Sequence, residues 1–255
     1  MVTVLALAIL SQTSSLPYAD SLYRQAEYYR AAGEYHRWLF ENPAGDERPK
    51  ALLGLGKAYL KGKRYADAER TLRQVPEASP LSALARYSLA EAQLGLGRDA
   101  EAKQLLMELP ASLREPASAQ LGLLAARHGD WRTALGQFEA NPSLASLAQQ
   151  RLDTPERPPA IAAALSLVPG GGQLYLGRPS DALNAVLFTA VTGLASSYYF
   201  NRGNPVLGGT AAALSLSFWG GSIYGAAVEA RRINQQTERD FLQRATEQVE
   251  ALRPE

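Results

Sequence analysis

Only four charged side chains, Arg178, Asp181, Arg202 and Glu229, interrupt residues 158–230, and no other stretch restricts the fold of this chain as much. Two apolar runs lie inside it, 183–200 and 205–228. As helices rising 1.5 Å per residue they would be about 27 Å and about 36 Å long, enough for a hydrocarbon core of roughly 30 Å. Asn201, Arg202, Gly203, Asn204 and Pro205 separate them with a polar turn. The pattern predicts a transmembrane helical hairpin. No ionisable residue falls in the middle of either run, which argues against a proton relay or an ion path.

A length of 255 residues leaves room for a second domain. The formal net charge of +1 gives no reason to expect nucleic acid as a partner. With no cysteine and two histidines, disulfides and thiolate metal sites are excluded, and no serine–histidine or metal–histidine arrangement forms readily. No catalytic residue, cofactor or metal is therefore predicted, and the chain is not expected to be an enzyme. His36 and His128 read as exposed or capping residues, and the scattered acidic residues read as solvated helix faces.

At the amino-terminal side, the apolar run 2–10 followed by polar and small residues has the length of a signal-peptide core. Residues 1–17 are expected to be a signal peptide or apolar leader, although a positively charged leader segment and a clear cleavage site are missing. A buried first helix or strand is the alternative.

Residues 18–150 repeat. Glycines recur at 33, 62, 97 and 129, and prolines at 43, 76, 110 and 142. Each glycine is expected to close a first helix, where a left-handed or unhindered backbone is needed, and each proline to stop a second one. Ala68, Ala102 and Ala134 supply small residues at which the second helix can approach the first. Trp38 and Trp131 read as packing residues between helices. The best unit runs Ala51 to Tyr59, then Gly62-Lys-Arg-Tyr65-Ala-Asp-Ala68 to Leu72, then Pro76. This pattern resembles the tetratricopeptide repeat. The resemblance implies helical pairs stacked as a solenoid with a concave groove, at which other proteins dock. Arg24, Tyr28, Lys57, Arg86, Glu91 and Arg127 are the candidate partner-binding residues of that groove. A plain spacer is the alternative use, and no regular clamp for an acidic carboxyl-terminal peptide is visible.

Residues 151–159 contain three prolines and read as a semi-stiff linker. In the membrane domain expected over 160–230, a short apolar helix precedes Gly170, Gly171 and Gly172. These glycines are not a phosphate loop, because no Gly-Lys-Ser/Thr follows and no strand precedes. The series Pro169, Gly170, Gly172, Gln173, Tyr175, Gly177, Arg178, followed by Trp219, Gly221, Tyr224 and Gly225, resembles small bacterial two-transmembrane-helix domains with a Pro-Gly-x-Gly-Gln-x-Tyr-x-Gly motif. That resemblance covers about 160–234 and implies membrane residence. Tyr175 and Arg178 suit the headgroup layer, and Tyr198, Tyr199 and Phe200 an aromatic belt. Gly209-x-x-x-Ala213 and Gly221-x-x-x-Gly225 would let two helices approach closely, within the hairpin or between copies of the chain.

Residues 231–255 read as an amphipathic tail helix that lies on the membrane or packs back on the repeats. Arg178, Arg231 and Arg232 flank the hairpin on the side of the repeats and would hold them in the cytoplasm. The apolar amino-terminal run argues for export. The expectation taken is a periplasmic repeat domain, with the cytoplasm as the alternative. The sequence thus predicts an all-α, membrane-anchored repeat scaffold of a bacterial envelope that recruits or positions protein partners. An oligomeric small channel or a membrane-protein insertion factor is the competing expectation.

Overall fold

The computed structural model describes residues 15–254, so the expected leader lies largely outside the described residues. The described chain is helical, with no strand. Its helices are α1 (Leu16–Arg24), α2 (Tyr28–Glu41), α3 (Arg48–Lys61), α4 (Tyr65–Leu72), α5 (Ser82–Gly95), α6 (Asp99–Met107), α7 (Arg114–Arg127) and α8 (Trp131–Gln137), then α9 (Pro142–Asp153), α10 (Pro159–Leu165), α11 (Gly171–Tyr175), α12 (Pro179–Asn201) and α13 (Pro205–Ala251). They form two compact units. The first holds the residues up to Ala145 together with 246–254, and the second Ser146–Ala245.

In the first unit α1 to α8 form four antiparallel pairs. The same helix stop ends the first helix of every pair. Ala26, Lys63, Gly97 and Gly129 have φ of 61°, 58°, 74° and 78°. The N–H that follows each of them bonds back across the stop: Glu27 to Leu22 O, Arg64 to Tyr59 O, Arg98 to Gln93 O and Asp130 to Ala125 O, all within 3.0 Å. This is the Schellman closure, which satisfies carbonyls the helix end leaves free. Its register corrects the glycine pattern. Gly33 lies inside α2, Ala26 makes the first stop, and at the second stop Lys63 takes the left-handed position next to Gly62. Five residues after each left-handed residue comes a fully buried alanine: Ala31, Ala68, Ala102 and Ala134.

Side chains from second helices fill gaps at first-helix glycines. Leu72 lies over Gly56 and Phe138 over Gly122, while Tyr35 and Tyr65 reach Gly54 and Gly95 of the next pair. A Cβ at any of these glycines would come within 2.3–2.5 Å of the incoming side chain. Repeats too thin to bury their own faces thus bury them against their neighbours, with Tyr35, Tyr87 and Phe138 almost wholly enclosed. Trp38 and Trp131 are buried as packing residues. α1 starts at Leu16, inside the segment expected to be the leader, with the Ser15 side chain accepting from the Tyr18 N–H.

In the second unit, residues expected to form a linker are tied down. Arg151 pairs with Glu238 at 2.7 Å, and Asn234 accepts from the Arg157 N–H and donates to the Arg157 carbonyl. α12 and the first part of α13 run antiparallel. Ser196 Oγ donates to Gly208 O, Ser215 Oγ donates to Thr189 O, and the rings of Phe188 and Phe218 stack 5.2 Å apart. Of the two expected spans, α13 alone is long and apolar enough to cross a membrane among the described helices. α12 has the length, at 23 residues, but Asn184, Thr189, Thr192, Ser196 and Ser197 dilute its apolar run. The expected tail helix is not separate: α13 runs unbroken to Ala251.

Candidate functional site

The first helices of successive pairs line a groove with a cavity of about 610 Å³. Its walls come from one stripe of each helix. α3 contributes Lys50, Leu53, Lys57 and Lys61, and α5 with its N-cap Leu81 contributes Leu84, Ser88 and Glu91. Steps of three and four residues keep each set on one helical face. α1 adds Tyr23 and Arg24. The groove is apolar at its base and charged at its rim, which suits a peptide with both kinds of side chain.

Its geometry is fixed from behind. Tyr35, 2 % exposed, donates to Asp20 Oδ1 at 2.5 Å, and Asp20 also faces Lys50 Nζ at 3.7 Å. Burial and the neighbouring Asp20 carboxylate push the Tyr35 hydroxyl pKa upward, so it stays a donor. Gln120 of α7 is buried and donates to Tyr87 Oη at 3.3 Å and to Glu91 Oε1 at 3.2 Å. Burial pushes the Tyr87 hydroxyl up to about 12, with the Glu91 charge adding to it. The Glu91 carboxyl is raised by burial and drawn back by Arg253, Lys61 and Lys57.

Three of the six residues expected in the groove, Arg24, Lys57 and Glu91, line this cavity. The other three do not. Tyr28 is on α2, edge-on to Tyr23 with ring centres 5.5 Å apart. Arg86 sits on another face of α5 and pairs with Glu108, the residue that caps the end of α6, at 2.6 Å. Arg127 is exposed in the last turn of α7. The α3 and α5 stripes could have excluded Arg86, which falls between the positions that point into the groove. Arg253 and Pro254, also in the cavity wall, carry no such local signal.

The motif of the second unit is a steric arrangement. Gly170 has φ of 84°, and a Cβ there would meet Ala182 O at 2.6 Å. At Gly171 it would meet Leu165 O at 2.2 Å, and at Gly172 it would meet Ala162 O at 2.2 Å and Ser166 Oγ at 2.0 Å. Pro169 leads into these glycines, which let α10, α11 and α12 close on each other. Gln173 Nε2 donates to the Ser222 carbonyl and hydroxyl at 3.0 Å, and Trp219 Nε1 donates to the carbonyls of Ser166 and Leu167. Gly177, with φ of 76°, ends α11 through the same closure used in the repeats. Arg178, expected to reach a headgroup, is held instead by Asp181 at 2.5 Å and Glu229 at 2.9 Å. Tyr175 and Tyr224 point outward. Gly221 and Gly225 have open space where a side chain would be, so they serve no close approach inside the chain.

The four-fold recurrence of stop, buried alanine and helix pair decides between a repeat and an unrelated bundle. Residues 18–111 match the tetratricopeptide repeat. The family model covers 18–82 and 53–111, that is, the first three pairs. Tetratricopeptide repeats are a protein-interaction fold, and in this chain α7 and α8 continue their register beyond the matched residues. No curated protein matches the chain.

Proposed function

We propose that this protein is a membrane-anchored repeat scaffold that recruits or positions protein partners at a bacterial envelope membrane, without catalysis of its own. The observation that carries the anchoring is the inverted composition of the second unit. Its interior holds Ala162, Ser166, Gly172, Ser222, Ala226 and Ala230, while Leu183, Phe188, Leu194, Val206, Leu216 and Val168 are 50 % exposed or more. Only 11 % of the most apolar window of α13 is buried, unlike the core helix of a soluble protein. In water so large an apolar exterior is unfavourable; in lipid it is the favoured surface, and small residues then do the packing. α12 would accompany α13 across the bilayer, the hydroxyls of Thr192 and Ser196 being bonded to carbonyls of the pair. The groove of the repeats then serves as the docking surface, with the repeats on the periplasmic side.

Photocrosslinking from position 57 of the full chain in native bacterial membranes tests this reading. Adducts with other proteins, together with protease access to the repeats in spheroplasts, are expected. Adducts that consist of the chain alone would support the competing reading, a homo-oligomeric channel or an insertion factor. The outward, open positions of Gly221 and Gly225 favour that alternative. The two readings differ in which face of the chain carries the interaction.

A further inference from the structure

Glu91 has a requirement that the docking reading does not explain. Its side chain is 12 % exposed, it accepts one neutral hydrogen bond from Gln120, and its Oε1 lies 2.7 Å from Arg253 Nε. A carboxylate so enclosed is costly unless a cation meets it, and removing that cation is worse than never having had it. The cation comes from segment 246–254, which belongs to the same compact unit as the repeats. α13 ends at Ala251, and Arg253 and Pro254 leave the helix to stand in the groove wall with Glu250. Val249 is buried at 1 % exposure, and Ser143 Oγ donates to Gln248 Oε1 at 3.0 Å, so the segment is seated rather than merely nearby.

We propose that the groove is an arginine-binding site centred on Glu91, filled in this chain by Arg253 and, when segment 246–254 lifts, by an arginine-bearing segment of a partner protein. The inference rests on the repeats being a docking surface and names what that surface selects. A neutral or acidic occupant would displace Arg253 and leave the buried carboxylate to its hydrogen bond from Gln120 and to the charges of Lys57 and Lys61, without its ion-pair partner; an arginine replaces like with like. Arginine suits the place better than lysine, because its planar fork can face Glu91 and Glu250 together, as Arg253 does at 2.7 and 3.7 Å. The chain's own segment sets a threshold. Being tethered, it competes at an effective concentration on the order of millimolar, so weak arginine peptides are refused and only better ones open the groove.

The test uses the full chain in detergent micelles and a fluorescent peptide with the sequence of residues 246–254, read by anisotropy. Wild-type chain should bind this probe weakly. Arg253→Glu, which repels its own segment from Glu91, should bind it about tenfold tighter or more, because the tethered competitor is gone. Adding Glu91→Gln to that variant should remove the gain, and a probe with glutamine in place of its arginine should bind neither chain. Thermal melts confirm that each variant folds, and Arg253→Ala replaces Arg253→Glu should the latter not fold. Equal probe affinities for wild type and the released variant, or equal affinities for the two probes, would overturn the arginine site while leaving crosslinked partners at position 57 untouched. Absence of those partners would overturn the scaffold while leaving the probe affinities as measured.

Discussion

Glycines of the same helical pattern do opposite jobs in the repeats, and the difference is set by what stands over them. Gly122 is covered by the Phe138 ring, whose nearest carbon would be 2.4 Å from an added methyl group. Gly33 is exposed in the middle of α2 and has nothing within 4 Å. Gly122→Ala gains helix propensity of about 1 kcal/mol but overpacks by about 1–3 kcal/mol, so stability should fall by up to about 2 kcal/mol. Gly33→Ala has only the gain and should raise stability by about 0.5–1 kcal/mol. Guanidinium unfolding of the full chain, followed through the buried Trp38 and Trp131, measures both. A loss at position 33 or a gain at position 122 would contradict an open Gly33 and a covered Gly122. From the sequence the two residues cannot be told apart, because the ring over Gly122 arrives from the next helix.

At the scale of the helix, the stop matters more than the residue that fills it. The left-handed position is occupied by alanine, lysine, glycine and glycine in the four repeats. A search for glycine therefore finds the last two stops, misses the second by one residue, and takes Gly33 for the first. The hydrogen-bonded closure is what recurs, and it leaves no mark in composition. Placing a side chain in the left-handed region costs about 1–2 kcal/mol. Lys63→Gly should thus stabilise the chain by about 1 kcal/mol, and Gly97→Ala should destabilise it by a similar amount, with midpoints moving in opposite directions and unchanged slopes in denaturant titrations. The groove shows the same split between local and long-range information. Arg24, Lys57 and Glu91 fall on faces that helical periodicity marks out, and the motif glycines at 170 and 172 announce a close approach before the partner is known. Arg253 is read only in the structure, since nothing near it in the chain indicates that it meets Glu91, more than a hundred residues earlier.

At the scale of the whole molecule, the two units obey opposite solvents. In the repeats, Tyr35, Tyr87, both tryptophans and most leucines are inside and most charges are outside, as water demands. In the second unit the large apolar residues along α12 and the first part of α13 are mostly outside, and Ser196 Oγ and the Trp219 Nε1–H are bonded to carbonyls within it. A single chain has three tryptophans divided between these environments, two in the repeats and Trp219 in the second unit. That division permits a direct measurement. With Trp38→Phe and Trp131→Phe, the full chain in phosphatidylcholine vesicles reports from Trp219 alone; with Trp219→Phe it reports from the repeats. Doxyl groups on the acyl chains quench over short distances, so Trp219 emission should fall by half or more while the repeat tryptophans stay bright. Carbonate washing should leave both variants in the vesicle fraction. Equal quenching of the two sets, or a chain that washes off, would mean that the apolar exterior is covered by protein rather than lipid, and the anchor would have to be reassigned as an interface.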